Sequence, residues 1–255
     1  MRNEDYEYLY DLEEKFWWFT GMREITASLL APLLSGKESM VLDIGCGTGG
    51  NLKWLARYVG GSKIVGIDIA PKALEFCRIH HHRLLAQASA TALPFAAELF
   101  DLVTSFDVLV QIPGDDADGQ ALREMHRVLR PGGIAFVRVA AYRWMRSGHD
   151  RELSTQRRYQ LEELQSKLET NGFTILRSTY ANCILLPVAA LHRLLLKPLG
   201  LVDRGSDVKP FPPYFGWLNR PFSSALEWEA RRLRAPQVKL HAGLSAICIV
   251  KKPGG

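Results

Sequence analysis

The chain of 255 residues has little of several features that would decide its class at once. Its four cysteines, Cys46, Cys77, Cys183 and Cys248, are scattered. No C-x-x-C pair is among them, which excludes a zinc-ribbon pattern and a dense disulfide framework and favours a reducing compartment. The opening residues, Met1-Arg2-Asn3-Glu4-Asp5, are acidic and carry no apolar h-region, so a secretory leader is not expected and a cytoplasmic location is. The longest greasy stretch, 184–202, is interrupted by Pro187, His192, Arg193, Lys197 and Pro198. It falls short of the roughly 20 clean residues of a spanning helix, although peripheral contact with an inner membrane face stays open. Internal repeats and low-complexity tracts are lacking as well.

What is present describes a folded protein. Hydrophobic residues make up 47% and charged residues 23%, close to the globular average. The net charge of +5 is unevenly spread, because 184–255 holds eleven basic against four acidic side chains and leaves the rest slightly acidic. A basic excess of this kind bears on partners of the C-terminal part alone.

From Met40 onward the chain alternates between short β-branched runs and helical segments. Strands are expected at 40–44, 63–68, 100–105, 133–139, 173–180 and 244–250, and helices at 51–59, 71–82, 118–129 and 160–171. Pro71 suits a first helical position, Gly172 a helix stop, and Arg130-Pro131-Gly132-Gly133 a turn. This rhythm predicts an α/β fold: a doubly wound, mostly parallel sheet with helices on both faces and ligands at the carboxyl ends of the strands. The expected organisation is an N-terminal helical lid (1–38), a core (39–183), a helical insertion covering the substrate (184–243), and a last core strand and tail (244–255).

The segment Val41-Leu42-Asp43-Ile44-Gly45-Cys46-Gly47-Thr48-Gly49-Gly50 places glycines where a strand turns into a helix. They let a cofactor approach the backbone, yet satisfy both G-x-G-x-G and G-x-G-x-x-G, so they alone do not separate a nucleoside from a dinucleotide. Asp43 tips the balance: a carboxylate there suits a cation and repels a pyrophosphate. Asp68, ending the second strand, suits a ribose diol, with a helix N-cap as the competing role.

Val41 to Gly49, Gly66-Ile67-Asp68, Ala92-Leu93-Pro94-Phe95, Phe100-Asp101-Leu102-Val103 and Leu129-Arg130-Pro131-Gly132-Gly133 together resemble, in order and spacing, the class I S-adenosylmethionine-dependent methyltransferases. The resemblance covers about 39–183 plus the final strand. It implies a Rossmann-like seven-stranded sheet with an antiparallel last strand, and S-adenosylmethionine as cofactor with S-adenosylhomocysteine as product. Gly45, Cys46, Gly47 and Gly49 would then line the methionine and ribose, Asp43 hold the amino end, Asp68 bind the ribose hydroxyls and Ile69 pack on the adenine. Ser89 stands where many relatives have an aspartate, and Ala90 and Phe106 complete the set. Val110-Gln111 stands where relatives often have Glu-His. The aromatic run Phe16-Trp17-Trp18-Phe19 with Arg23 resembles a segment that lies over the cofactor in related bacterial enzymes, with Arg23 facing the methionine carboxylate.

Transfer from a sulfonium requires alignment and, for some acceptors, a base. His149, in the loop after the 133–139 strand, is the candidate base. Tyr159, with Arg157 and Arg158, would present a phenol and cations to an anionic acceptor. No metal is expected, since the consecutive His80, His81 and His82 face different directions on a helix. The leucine-rich basic insertion favours a small, moderately hydrophobic or lipid-like acceptor over nucleic acid, while an RNA or protein methyltransferase and a cofactor binder without transfer remain alternatives. The oligomeric state is left open.

Overall fold

The computed structural model describes residues 3–33, 39–57, 59, 63–146, 150, 154–196 and 219–254. The helices are α1 (Asn3–Leu12), α2 (Trp17–Leu30), α3 (Gly50–Leu55), α4 (Pro71–Ile79), α5 (Ala117–Val128), α6 (Leu161–Thr170), α7 (Leu186–Leu191) and α8 (Asn219–Leu233). The strands are β1 (Met40–Ile44), β2 (Lys63–Asp68), β3 (Leu85–Gln87), β4 (Phe100–Phe106), β5 (Leu129–Ala140), β6 (Thr174–Ala181) and β7 (Ser245–Lys251). They form one sheet in the order β3-β2-β1-β4-β5-β7-β6. The first five pair in parallel, and β7 inserts antiparallel between β5 and β6.

The seventh strand is β3, whose three residues are too few to show a period in the sequence. The expected turn at Arg130-Pro131-Gly132-Gly133 is a correction of another kind. Gly132 takes a positive φ of 79° and its N–H donates to Lys252 O, so the segment is a bulge within a longer β5, with its register shift against β4.

Period-two alternation sorts the strands onto two cores. Val103, Val137 and Cys248 face α5 and α6, while Leu102, Phe136, Ile247 and Ile249 face α2 and α8. The strands are buried on both sides, as doubly wound sheets require.

Two polar ties fasten α8. Glu229, fully buried, accepts the N–H groups of Asn182 (2.7 Å) and Ile184 (2.8 Å), and Arg177 donates to Leu233 O, Ala235 O and Val238 O at the helix end. The described part of the insertion therefore differs from a simple cover. Asn219–Leu233 packs on α2 and the sheet, and only Arg193 among the described residues of 184–243 lines the cavity at the strand ends. Ile184, Val188, Leu191 and Leu194 are exposed, and 197–202 of the expected interfacial stretch lie outside the described residues. Among the described residues, no helix is long and apolar enough to cross a membrane.

At the α2–α8 crossing Gly21 lies under Leu226, and a Cβ added there would fall inside the leucine side chain. Gly21→Ala is expected to cost about 1–3 kcal/mol of stability by overpacking. A urea denaturation series checks this; an unchanged midpoint would remove Gly21 from the packing account.

Candidate active site

The carboxyl ends of β1, β2, β4 and β5, roofed by α1 and α2, enclose a cavity of about 730 Å³. Its cofactor-side floor is the loop after β1. Cys46 N–H continues the ladder to Ile67 O at 2.8 Å, and the chain then turns through Gly47 (φ 55°) and Gly49 (φ 97°) into α3. Left-handed φ at Gly47 keeps the backbone against the cavity, a conformation costly for a side chain with Cβ.

Two carboxylates bracket this loop. Asp68 Oδ2 accepts Gly47 N–H (3.0 Å) and Oδ1 accepts Ala70 N–H (2.9 Å), so the same group ties the loop and the entry to α4. Backbone N–H groups thereby use part of its acceptor capacity, and the remainder is left for a diol. Asp43 has no solvent exposure; Oδ1 accepts Thr104 Oγ1 (2.6 Å), and Oδ2 has no hydrogen-bond partner. Burial pushes its carboxyl up to about 7, with the Thr104 hydrogen bond acting in the opposite direction. A buried carboxylate oxygen without a partner is costly unless a donor reaches it, and an ammonium group would supply one.

The roof comes from the N-terminal helices. Trp18, Met22 and Arg23 of α2 line the cavity, as do Tyr6 and Leu9 of α1 and Glu13 just beyond it. Arg23 Nε donates to Asn51 Oδ1 (3.3 Å), and Arg23 and Glu13 converge on Gly50 at the start of α3. Burial raises the Glu13 pKa, while Thr48, Arg23 and Gly50 oppose that rise. Trp17 corrects the expectation of a paired aromatic lid. Its ring packs edge-on against Phe222 of α8 at 5.0 Å, on the side away from the cavity lining.

The cavity continues past β4. Asp107 stands there with φ 59°, and Arg138 at the end of β5 donates to Asp107 Oδ2 from Nε (2.9 Å) and Nη2 (2.7 Å). The Arg138 guanidinium lies 5.1 Å from the ring centroids of both Trp18 and Phe106, a doubled cation–π arrangement. Further out, Arg158 donates to Asp150 Oδ1 (2.6 Å) and Ala141 O (2.9 Å), and Arg193 donates to Met145 O (3.4 Å).

Of the residues expected from sequence, Gly45, Cys46, Gly47, Asp68, Ile69, Ser89, Ala90, Phe106, Trp18 and Arg23 all line this cavity. Asp43 and Gly49 stand behind the loop, Gly49 against Cys77 and His82. Ser89 Oγ lies 2.8 Å from Thr91 Oγ1. Cys46 and Cys77 bring their sulfurs to 3.8 Å under the loop, and Cys77 Sγ donates to Gly47 O (3.2 Å).

His149 lies outside the described residues. Tyr159 is a correction: it is 1% exposed within the core, and its hydroxyl donates to Asp118 Oδ2 (2.7 Å) beside Arg157 and Lys167. Burial works against the Asp118 charge, yet Lys167 and Tyr159 hold its carboxyl below the usual range. An isolated bridge explains the misplacement: Tyr159 pairs with Ala141 and turns inward while Arg158 turns to the cavity. Sequence reading passed over Asp107 and Arg138, whose only signal was charge at the carboxyl ends of β4 and β5.

Sheet order and the glycine loop after β1 give the chain the Rossmann-like fold of the class I S-adenosylmethionine-dependent methyltransferases. Residues 42–137 match the family described as a methyltransferase domain. The chain is 39% identical over 118 residues to a malonyl-[acyl-carrier protein] O-methyltransferase of Salmonella typhimurium, covering 44% of each chain. It is 36% identical over 96 residues to a fatty-acid O-methyltransferase of Mycolicibacterium smegmatis, covering 36% of this chain and 34% of that one. The chain thus spans less than half the length of these curated relatives. A solved S-adenosylmethionine-dependent methyltransferase of Archaeoglobus fulgidus shares the fold with a TM-score of 0.59 at 17% identity, over 96% of this chain and all of that one (100%). The cofactor of these methyltransferases is S-adenosylmethionine; the Asp68 carboxylate at the cavity has the acceptor capacity for its ribose, and the unpartnered Asp43 oxygen lies behind the loop as a negative charge suited to a cation.

Two outcomes follow from this geometry. Because Asp43 has a folded pKa near 7 and an unfolded one near 3.8, the free protein loses the stability carried by this group as pH rises from about 4 to 7, where the unfolded carboxyl has ionised first. Binding a cation reverses the preference, so affinity for S-adenosylmethionine should rise between about pH 6 and 8 with proton release in calorimetry, and Asp43→Asn should flatten the profile. Separately, Tyr159→Phe should lower stability by about 1–3 kcal/mol, by removing a donor from buried Asp118, with kcat unchanged. A kcat loss without destabilisation would return Tyr159 to the chemistry.

Proposed function

We propose that this chain is an S-adenosylmethionine-dependent methyltransferase acting on a small, moderately hydrophobic or lipid-like acceptor. The observation that carries the reading is the glycine loop after β1 with Asp68 at the end of β2, both lining a cavity that runs on past β4 and β5, with the buried Asp43 carboxylate behind that loop. When bound, S-adenosylmethionine supplies a methyl group already activated on a sulfonium. The residues then have positional tasks. Asp43 holds the ammonium end, Asp68 the ribose diol, Ile69 covers the adenine from its exposed edge, and Ser89 and Ala90 border the base. Arg23 faces the methionine carboxylate from α2, and Trp18 and Phe106 close the cavity against water around Arg138.

The acceptor class is supported by the apolar wall Val108, Val110, Ile112 and Pro113, and by relatives named for a fatty acid and for an acyl-carrier-bound malonyl group. In this reading 1–38 is the lid over the cofactor and 184–243 borders the acceptor through Arg193, around the core 39–183 and the last strand in 244–255. An RNA acceptor is disfavoured because the local basic cluster Arg231 and Arg232 lies on α8, and neither side chain lines the cavity.

Calorimetry with S-adenosylmethionine tests the reading. Asp68→Ala removes charge-assisted hydrogen bonds and should weaken binding roughly 10- to 100-fold. Failure of the unaltered chain to bind would end the methyltransferase proposal. Binding without methyl transfer to any component of a cell extract, followed with a labelled donor, would favour a cofactor binder without transfer.

A further inference from the structure

Where α1 ends stands a buried carboxylate with no cofactor group of its own to meet. Glu13 is 5% exposed and borders the cavity, yet it comes from the N-terminal segment and not from the sheet. Burying a carboxylate costs free energy that an apolar side chain at the same place would not, so its neighbours decide what it is for. Oε1 has no hydrogen-bond partner and lies 3.5 Å from His80 Nε2 at the end of α4. Oε2 turns to the start of α3, where a Cβ added to Gly50 would collide with it and with Arg23 Nη2 together. Carboxylate and guanidinium thus meet over the first residue of α3, within about 5 Å of each other, close enough for each to hold the other's charge.

Arg23 shows the other side of this contact. Burial pulls its pKa down, and Glu13 is first among the charges that oppose the fall, ahead of Glu14, while Arg138 and Arg57 add to it. Of the five guanidinium N–H donors, Nε alone makes a hydrogen bond among the described residues, to Asn51 Oδ1 (3.3 Å). The two Nη groups are left to the cavity that Arg23 lines. Gly50 and Asn51 open the same helix, so the Nε bond and the Glu13 contact hold the guanidinium from two sides over the exit of the glycine loop. An arginine side chain carries about 2 kcal/mol of rotamer entropy, and a group held at two points before its ligand arrives loses less of it on binding.

We propose that Glu13 is a positioning residue for the amino-acid end of the cofactor: it fixes the Arg23 guanidinium over the glycine loop, so that the Nη groups meet the methionine carboxylate, and it acts through Arg23 alone. This rests on the methyltransferase reading and deepens it, by giving the end of α1 a part in cofactor recognition. Repulsion between Glu13 and that carboxylate is the opposing effect. It is limited because Glu13 turns its oxygens toward His80 and Gly50, while Arg23 has donors to spare for a second anion.

The experiment titrates the full chain with S-adenosylhomocysteine, which carries the amino-acid end, and with 5′-methylthioadenosine, which keeps adenine and ribose and lacks that end. The unaltered chain should hold S-adenosylhomocysteine at least about tenfold more tightly. Arg23→Gln should remove most of that preference. Glu13→Gln, close to isosteric, should weaken binding of S-adenosylhomocysteine about five- to tenfold and leave 5′-methylthioadenosine within about twofold. In the Arg23→Gln background the same substitution should change neither ligand by more than about twofold, because the partner it acts through is gone. A loss shared by both ligands, or one that persists without Arg23, would make Glu13 a structural tie of α1 and overturn the proposal. Tighter binding of S-adenosylhomocysteine by Glu13→Gln would overturn it too, and mark the carboxylate as a stand-in that the cofactor has to displace. If the unaltered chain binds neither ligand, the methyltransferase reading falls and this inference with it. If it binds both, and Glu13→Gln behaves as the unaltered chain or Arg23→Gln keeps the preference, the positioning role is overturned and the cofactor reading stands.

Discussion

The buried carboxylate of Asp43 is the constraint around which the site is arranged. A charge at a position with no solvent exposure is tolerable only if something answers it, and among the described residues Thr104 is the one hydrogen-bond donor to it. Thr104 is on β4, the neighbour of β1, so the parallel pairing Asp43↔Thr104 delivers the hydroxyl to the carboxylate. The other oxygen is left for a ligand donor. Asp68 is handled differently: backbone N–H groups of the glycine loop and of the α4 entry tie it down, and its remaining capacity faces the cavity. One carboxylate is left wanting a cation and the other is fixed for neutral hydroxyls. That division of labour follows from burial and local donors more than from residue type.

The same logic separates structural ion pairs from those of the site. Asp118 is wholly buried and meets Tyr159, Lys167 and Arg157, so its charge is spent within the protein. Glu229 is equally buried and spends both oxygens on the N–H groups of Asn182 and Ile184. Asp107 and Asp150 each orient an arginine that also borders the cavity. Breaking either of these last two pairs would strand a charge at the cavity wall, which is why they belong to the architecture of the pocket as well as to its chemistry.

Much of the core was legible from pattern because parallel strands buried on both faces must be continuous apolar runs, as 40–44 and 100–105 are. The glycine loop and Asp68 were legible because their chemistry is local in the chain. Tyr159 was not, since one residue of alternation decides whether a side chain enters the core or the cavity, and the sequence around it has no period long enough to set the phase. Arg138 and Asp107 were invisible for another reason: they are 31 residues apart, and only the β4–β5 pairing makes them partners. The C-terminal basic excess divides likewise. Arg193 serves the cavity, Arg231 and Arg232 sit on α8, and Lys252 anchors to Leu129 O and Glu98 at the far end of the sheet.

The N-terminal segment is two things energetically. α2 buries Met22, Ile25, Leu29 and Leu30 against the sheet and α8, and each such side chain contributes about 1.5–3 kcal/mol by burial. It is therefore core that happens to present Trp18 and Arg23 to the cavity, and Gly21 sets how closely it meets α8. α1 is held chiefly at its edge, by Tyr10 stacking on Phe76 and His80 and by Glu13 reaching His80 at 3.5 Å. Two of these contacts involve a histidine whose pKa burial lowers, so at neutral pH they are a ring contact and a weak polar one more than an ion pair. The Trp18–Arg138 stack, seated on α2, keeps the acceptor half in shape whether or not α1 is docked.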